Sequence, residues 1–136
     1  MSIILSPPGS GKTTWLIKNN SDNIIEDADI VLKEYHNSEY ESSNPSEEER
    51  KEHYLKIDKQ LLILRIEGRH ILGSLFWEVK PDIIIIIDSI EHKKRVSQRD
   101  DLEWGKVELV TTCLKNIAEK YNIPILNSFD EWYKLT

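Results

Sequence analysis

The residues best suited to chemistry stand near the N-terminus of this 136-residue chain: Ser6-Pro7-Pro8-Gly9-Ser10-Gly11-Lys12-Thr13-Thr14. They follow the spacing G-x-x-x-x-G-K-[ST], except that Ser6 occupies the first glycine position, where a small residue can fill the turn. Glycines let successive backbone N–H groups curl round an anion with no Cβ in the way. A helix starting at Lys12 would aim its positive end at the same anion. The Lys12 ammonium would reach the β- and γ-phosphates of a nucleoside triphosphate, and the Thr13 hydroxyl would ligate Mg²⁺. Pro8, Gly9, Ser10, Gly11 and Thr14 complete the expected phosphate cradle. The rival reading is a glycine-rich turn of no chemical significance. The apolar strand before the loop and the helical pattern after it favour phosphate binding.

Two other clusters carry charge in useful patterns. Asp27 and Asp29 flank Ala28 after a short β-like run. If strands one and two lie side by side, these carboxylates face the glycine loop, where one can orient an attacking hydroxyl or accept its proton. A helix cap beside a solvated acid is the plainer alternative. The second cluster follows Asp88: His92, Lys93, Lys94, Arg95 and, four residues on, Arg99. Arginines four apart share a helix face and would stabilise charge spread over transferring phosphate oxygens. The alternative is a solvated basic helix paired with Asp100, Asp101 and Glu103.

The elements that must position these groups alternate between strand and helix. Ser2 to Leu5 is apolar and β-branched, and Pro7-Pro8-Gly9 ends it. A helix is expected from Lys12 to Lys18, and a second strand at Asn23 to Ile25. Asn44, Pro45 and the following glutamates read as a helix start, with Tyr54, Ile57, Leu61 and Leu64 at helical spacing and Gly68 as the stop. His70 to Phe76 reads as the third strand. Five isoleucines, Ile83 to Ile87, read as a central parallel strand buried on both faces. A basic helix from Glu91 to Arg99 follows. Next comes a helix after Gly105 carrying Val107, Val110, Leu114, Ile117 and Tyr121 on one side. Ile123 to Leu126 is the fifth strand, and Ser128 caps a last helix bearing Trp132. This alternation predicts an α/β fold in three layers, a roughly five-stranded parallel sheet with helices on both faces.

The glycine loop with Trp15 behind it, the Asp-x-Asp after strand two, and an apolar strand leading into a helix with Arg95 and Arg99 resemble the small P-loop kinase group. That group includes nucleoside monophosphate kinases, shikimate and gluconate kinases and the kinase domain of phage polynucleotide kinase. The resemblance implies a P-loop NTPase fold over residues 1–136 as one domain. A mobile acidic acceptor insert would fall at about 36–56 and a short lid at about 91–105. It implies transfer of the γ-phosphoryl of ATP, with Mg²⁺, to a nucleotide-like small molecule. Lys12, Asp29, Asp27, Arg95 and Arg99 would be the catalytic residues and Thr13 the metal ligand. A 5′-hydroxyl kinase acting on an oligonucleotide end and a nucleotide-binding module without transfer are the alternatives. The chain departs from the pattern at strand three, where many members carry a metal-organising acid. Here Phe76-Trp77 stand there, with Glu78 beyond. Asp88 closes its strand as a metal-organising acid does, but its place before the arginine helix matches the strand whose acid is structural.

Composition narrows the field further. A net charge of −6 argues against a general grip on a nucleic-acid duplex, while a local basic groove remains compatible with it. No N-K-x-D segment follows the fourth strand, which argues against a GTPase. The single cysteine, Cys113, cannot pair within the chain and suits a reducing, cytoplasmic setting; its expected role is small core filler. No segment resembles a signal peptide, and Ile83 to Ile87 is too short to span a membrane, so no membrane partner is expected. Arg65 and Arg69 either hold an acceptor phosphate or are surface charge at a helix end. His36 and His53 lack partners at metal-ligand spacing. Trp77 and Trp104 are candidates for stacking on a base.

Overall fold

A computed structural model describes residues 2–19, 25–28, 44–74 and 80–135. Five strands, β1 (Ile3–Leu5), β2 (Ile25–Asp27), β3 (His70–Gly73), β4 (Ile83–Ile85) and β5 (Ile125–Leu126), form one sheet. All four pairings are parallel, in the order β2-β3-β1-β4-β5. The described helices are α1 (Lys12–Asn19), α2 (Glu47–Ile66), α3 (Ser89–Ser97), α4 (Trp104–Tyr121) and α5 (Phe129–Leu135). None of them is long and apolar enough to cross a membrane.

The central strands β1, β3 and β4 are short and largely apolar because both sheet faces are covered there, whereas the edge strand β2 carries Glu26 and Asp27. Side chains alternate between faces along a strand. Ile4, Ile25, Leu72 and Ile85 therefore pack on one side with Trp15 and Leu16 of α1 and Phe129 and Trp132 of α5. On the other side Ile3 and Ile71 meet Ile57 and Leu61 of α2, while Leu5 and Ile84 meet Leu114 and Ala118 of α4. The expected parallel α/β sheet with helices on both faces is what the chain forms.

The strand order corrects one expectation. β1 and β2 are not neighbours: β3 lies between them and pairs with both. Consecutive strands usually adjoin, but a crossover helix can carry the chain past a vacant position that a later strand fills. Several boundaries also move. β2 runs two residues later than expected, so that Asp27 is its last residue instead of following it. β4 stops at Ile85, although the Ile86 amide still donates to Leu126 at 2.9 Å. Gly105 lies inside α4, which begins at Trp104.

The cap of α2 is Ser46, not Asn44. The Glu49 amide donates to Ser46 Oγ at 3.2 Å, and that hydroxyl donates to the Glu49 carboxylate at 3.1 Å. Ser46 thus caps the helix through its hydroxyl, two residues after the expected Asn44. Gly68, at φ +90°, ends the helix as expected, with its amide on the Arg65 carbonyl and the Arg69 amide on that of Leu64. Residues 47–56, read as part of an acidic insert, are regular helix; residues 36–43 lie outside the described residues. Ser128 caps α5, accepting from the Glu131 amide at 3.0 Å. Cys113 is exposed, not core filler. The buried stripe of α4 runs through Val107, Leu114 and Ala118, and position 113 falls on the opposite side.

Candidate functional site: the glycine loop and the helix that braces it

Residues 6–11 link β1 to α1 at the carboxyl end of the sheet. The Ser6 amide donates to Gly73 at 2.8 Å, prolonging the β1–β3 ladder by one bond. The Ser6 side chain is fully buried, and its hydroxyl donates to Ser10 Oγ at 2.8 Å. A serine here therefore ties the loop across its base, which glycine could not do. Gly9 and Gly11 sit at φ +75° and +92°, in the left-handed region that side chains rarely adopt. A Cβ on Gly9 would stand 2.7 Å from Val96 Cγ2, and one on Gly11 2.5 Å from Arg95 Nη1. The alternation of glycines reflects both backbone conformation and the close approach of α3.

Lys12 opens α1 and is 6 % exposed. Its ammonium donates to the Ser6 carbonyl at 3.1 Å, the Pro7 carbonyl at 3.4 Å and Ser74 Oγ at 2.7 Å. The first turn of α1 contains no acid, so the positive end of the helix and its amides are not neutralised locally. Thr13 and Thr14 are exposed beside it. A cleft of about 650 Å³ opens here, walled by Gly11, Lys12, Thr13, Ser74, Arg95 and Arg99. A second, of about 630 Å³, shares Gly11, Thr14 and Arg95 with the first and continues past Lys18 to Ser128 and Asp130. Asp130 accepts from the indole N–H of Trp15 at 3.0 Å.

Helix α3 is docked on the loop. Asp88 caps it, its carboxylate accepting from the Glu91 amide at 3.1 Å, so Asp88 takes the structural role of a cap. His92 is 2 % exposed, with Nε2 at 2.8 Å from the Pro8 carbonyl and its ring edge-on to Trp104 at 5.2 Å. Trp104 is half-buried and, besides this contact, lines a neighbouring cleft with Asp88 and Thr111. Arg95 Nη1 donates to the Ser10 carbonyl at 2.7 Å, and its Nε to Glu91 at 3.1 Å. Arg99 falls beyond the helix, past the C-cap Gln98, so it does not share a helical face with Arg95 as its spacing suggested. It binds Asp101 through two bonds of 3.0 and 2.7 Å and still lines the cleft with Arg95. That guanidinium, chiefly through its hydrogen bonds, holds the Asp101 carboxyl below its ordinary 3.8.

The structure thus gathers Pro8, Gly9, Gly11, Lys12, Thr13, Thr14, Arg95 and Arg99 along one cleft, with Ser10 beneath. It does not bring Asp27 there. Asp27 is in register with Leu72, which is in register with Ile4, so Asp27 stands level with Ile4 and below the loop. Two strand spacings, about 10 Å, separate it from β1. Asp29, Trp77 and Glu78 lie outside the described residues. Arg65 pairs with Asp82 at 3.2 Å and Arg69 with Glu26. Asp82 also accepts from the Ile3 amide, so Arg65 is structural charge at the amino end of the strands, opposite the loop.

Two residues escaped the sequence reading. Ser74 follows β3, and only the strand order shows that the residue after β3 faces the loop. His92 reads as one of the cations around it, yet it lies four residues before Val96, the spacing of one buried helical stripe. Among the described residues no group of three or more His, Cys, Asp or Glu is placed to hold a metal. Compared with protein-family models the chain matches none, and a comparison with curated proteins likewise finds no match.

Proposed function

We propose that this chain is a small P-loop kinase that transfers the γ-phosphoryl of ATP to a nucleoside- or nucleotide-like acceptor. The observation that carries this reading is the convergence on one cleft of a buried lysine ammonium, two left-handed glycines, an acid-free helix N-terminus and two arginines. Such a site concentrates donors and positive charge where phosphate oxygens would lie, in a chain whose net charge is −6. Lys12 and the loop amides hold the donor phosphates. Arg95 and Arg99 neutralise charge spread over the moving group. Asp29, with Asp27 assisting, orients the acceptor hydroxyl; the remoteness of Asp27 leaves that task mainly to Asp29. Thr13, exposed in the first turn of α1, would hold Mg²⁺ through its hydroxyl. When bound, the ion supplies charge neutralisation between the phosphates. The exposed, single Cys113 suits a reducing cytoplasmic setting.

A specific observation favours a second reading, a nucleotide-binding module without transfer. The residue after β3 is Ser74, whose hydroxyl is engaged by Lys12, where a kinase commonly has a metal-organising acid. Phosphoryl transfer from γ-labelled ATP and Mg²⁺ into nucleosides, nucleoside monophosphates and 5′-hydroxyl oligonucleotides separates the readings. Label in one acceptor, lost in Lys12→Ala and Asp29→Asn, supports the kinase and names its acceptor, an oligonucleotide end included. ATP binding without label in any acceptor supports the module. Unchanged turnover in Lys12→Ala defeats the kinase assignment.

A further inference from the structure

We infer that α3 works as a peptide lock on the glycine loop, with His92 and Arg95 as positioning residues for two backbone N–H donors. The inference rests on the reading that this loop holds phosphate, and it concerns how the loop is kept ready to do so.

The loop has few donors to spare. The Ser6 amide is spent on Gly73, and Pro7 and Pro8 carry no N–H. The first donor the loop can offer an anion is the Gly9 amide, and the next glycine donor is that of Gly11. Each belongs to a peptide followed by a residue at positive φ, and such a peptide can turn over with little steric resistance because glycine has no Cβ. A turned peptide would present a carbonyl oxygen to the phosphate in place of an N–H, exchanging attraction for repulsion.

The structure shows what prevents this. Within a trans peptide the C=O and the next N–H point in opposite directions, and no described peptide is cis. His92 Nε2, at 2.8 Å, holds the Pro8 carbonyl and thereby fixes the Gly9 N–H on the opposite side. Arg95 Nη1, at 2.7 Å, holds the Ser10 carbonyl and fixes the Gly11 N–H in the same way. The two side chains lie three residues apart, on one face of one helix, and they serve alternate peptides of the loop. The bond to Pro8 requires a proton on Nε2. His92 is buried and packed against Trp104, so its ring cannot leave without disrupting the α3–α4 contact. Val96 and Leu102 hold the helix close enough for both side chains to reach, at 2.7 and 3.1 Å from where a Gly9 Cβ would be.

The test uses the full chain labelled with ¹⁵N-glycine, whose five glycines give a sparse amide spectrum. Adding ATP with Mg²⁺ to the wild type should move the Gly9 and Gly11 amide protons downfield and leave Gly68 in place. In His92→Met the Gly9 movement should be lost and that of Gly11 kept; in Arg95→Met the reverse should hold. His92→Gln, whose amide nitrogen reaches the position of Nε2, should retain the Gly9 movement. Affinity for ATP should fall by about tenfold in His92→Met, the order expected for one donor lost from a charged ligand, and by more in Arg95→Met, which also removes a cation from the cleft. If His92→Met does not fold, the exposed Arg95 and the His92→Gln variant still decide the matter. Equal loss of both signals in either Met variant, or no loss in either, overturns the lock alone. Absence of any ATP-induced movement in the wild type overturns the phosphate-loop reading, and the lock with it.

Discussion

The Lys12 ammonium lies 2.7 Å from Ser74 Oγ, joining residues 62 positions apart across the mouth of the glycine loop. The hydroxyl serves where a carboxylate would be the stronger partner. Hydrogen bonds to a charged donor contribute about 1.5–3 kcal/mol, and this one is only partly buried. Ser74→Ala should therefore lower unfolding free energy by about 1–2 kcal/mol, read from urea denaturation. A loss below about 0.3 kcal/mol would show that the other Lys12 partners carry the ammonium alone.

Gly9 and Gly105 should respond in opposite directions to the same methyl group. Gly9→Ala combines a left-handed backbone with a Cβ 2.7 Å from Val96, and should cost about 2–4 kcal/mol. Gly105 sits in the first turn of α4 with open space around it, so Gly105→Ala should stabilise by about 0.5–1 kcal/mol. Thermal unfolding of the two variants beside the wild type checks the signs. A stabilising Gly9→Ala would contradict the close docking of α3.

The pairing of Arg99 with Asp101 makes a prediction about acid. The folded carboxyl titrates below its ordinary 3.8, so the unfolded chain binds the proton more readily than the folded one. The pair's contribution is thus present above about pH 4 and fades as pH falls through the folded midpoint. Asp101 is fully solvated, so the effect on stability is small and salt-sensitive. Carboxyl titration followed by NMR should return Asp101 to about 3.8 in Arg99→Met. An unchanged midpoint would show that Arg99 is not its cause.

Cys113 should react with a disulfide reagent in the native protein, one thiol per chain, at a rate close to that of the unfolded chain. Protection that disappears only on unfolding would place the residue in the core.

The clearest boundary between what sequence and structure determine runs through the helix stripes and strands. Apolar runs read Ser2 to Leu5 and Ile83 to Ile87 as strands, within which Ile3–Leu5 and Ile83–Ile85 form them, and helical spacing reads Leu114 as core. Burial on both faces leaves no other use for such runs. Glycine spacing before Lys12 is equally local, because positive φ is a property of single residues. Cys113 shows the limit of composition: its type suggested burial, and its place on the helical wheel decided exposure.

What only tertiary structure decided is which ends come together. Sequence order made β1 and β2 neighbours and put Asp27 beside the loop. The pairing energy of β3 with both strands separates them and brings Ser74 to Lys12 instead. His92 and Arg95 read as two charges on a basic helix. Docking of α3 turns them into donors to the Pro8 and Ser10 carbonyls, each more than 80 residues away in the chain. Charge and type are written residue by residue, whereas partners across such separations are chosen by the packing of the whole sheet.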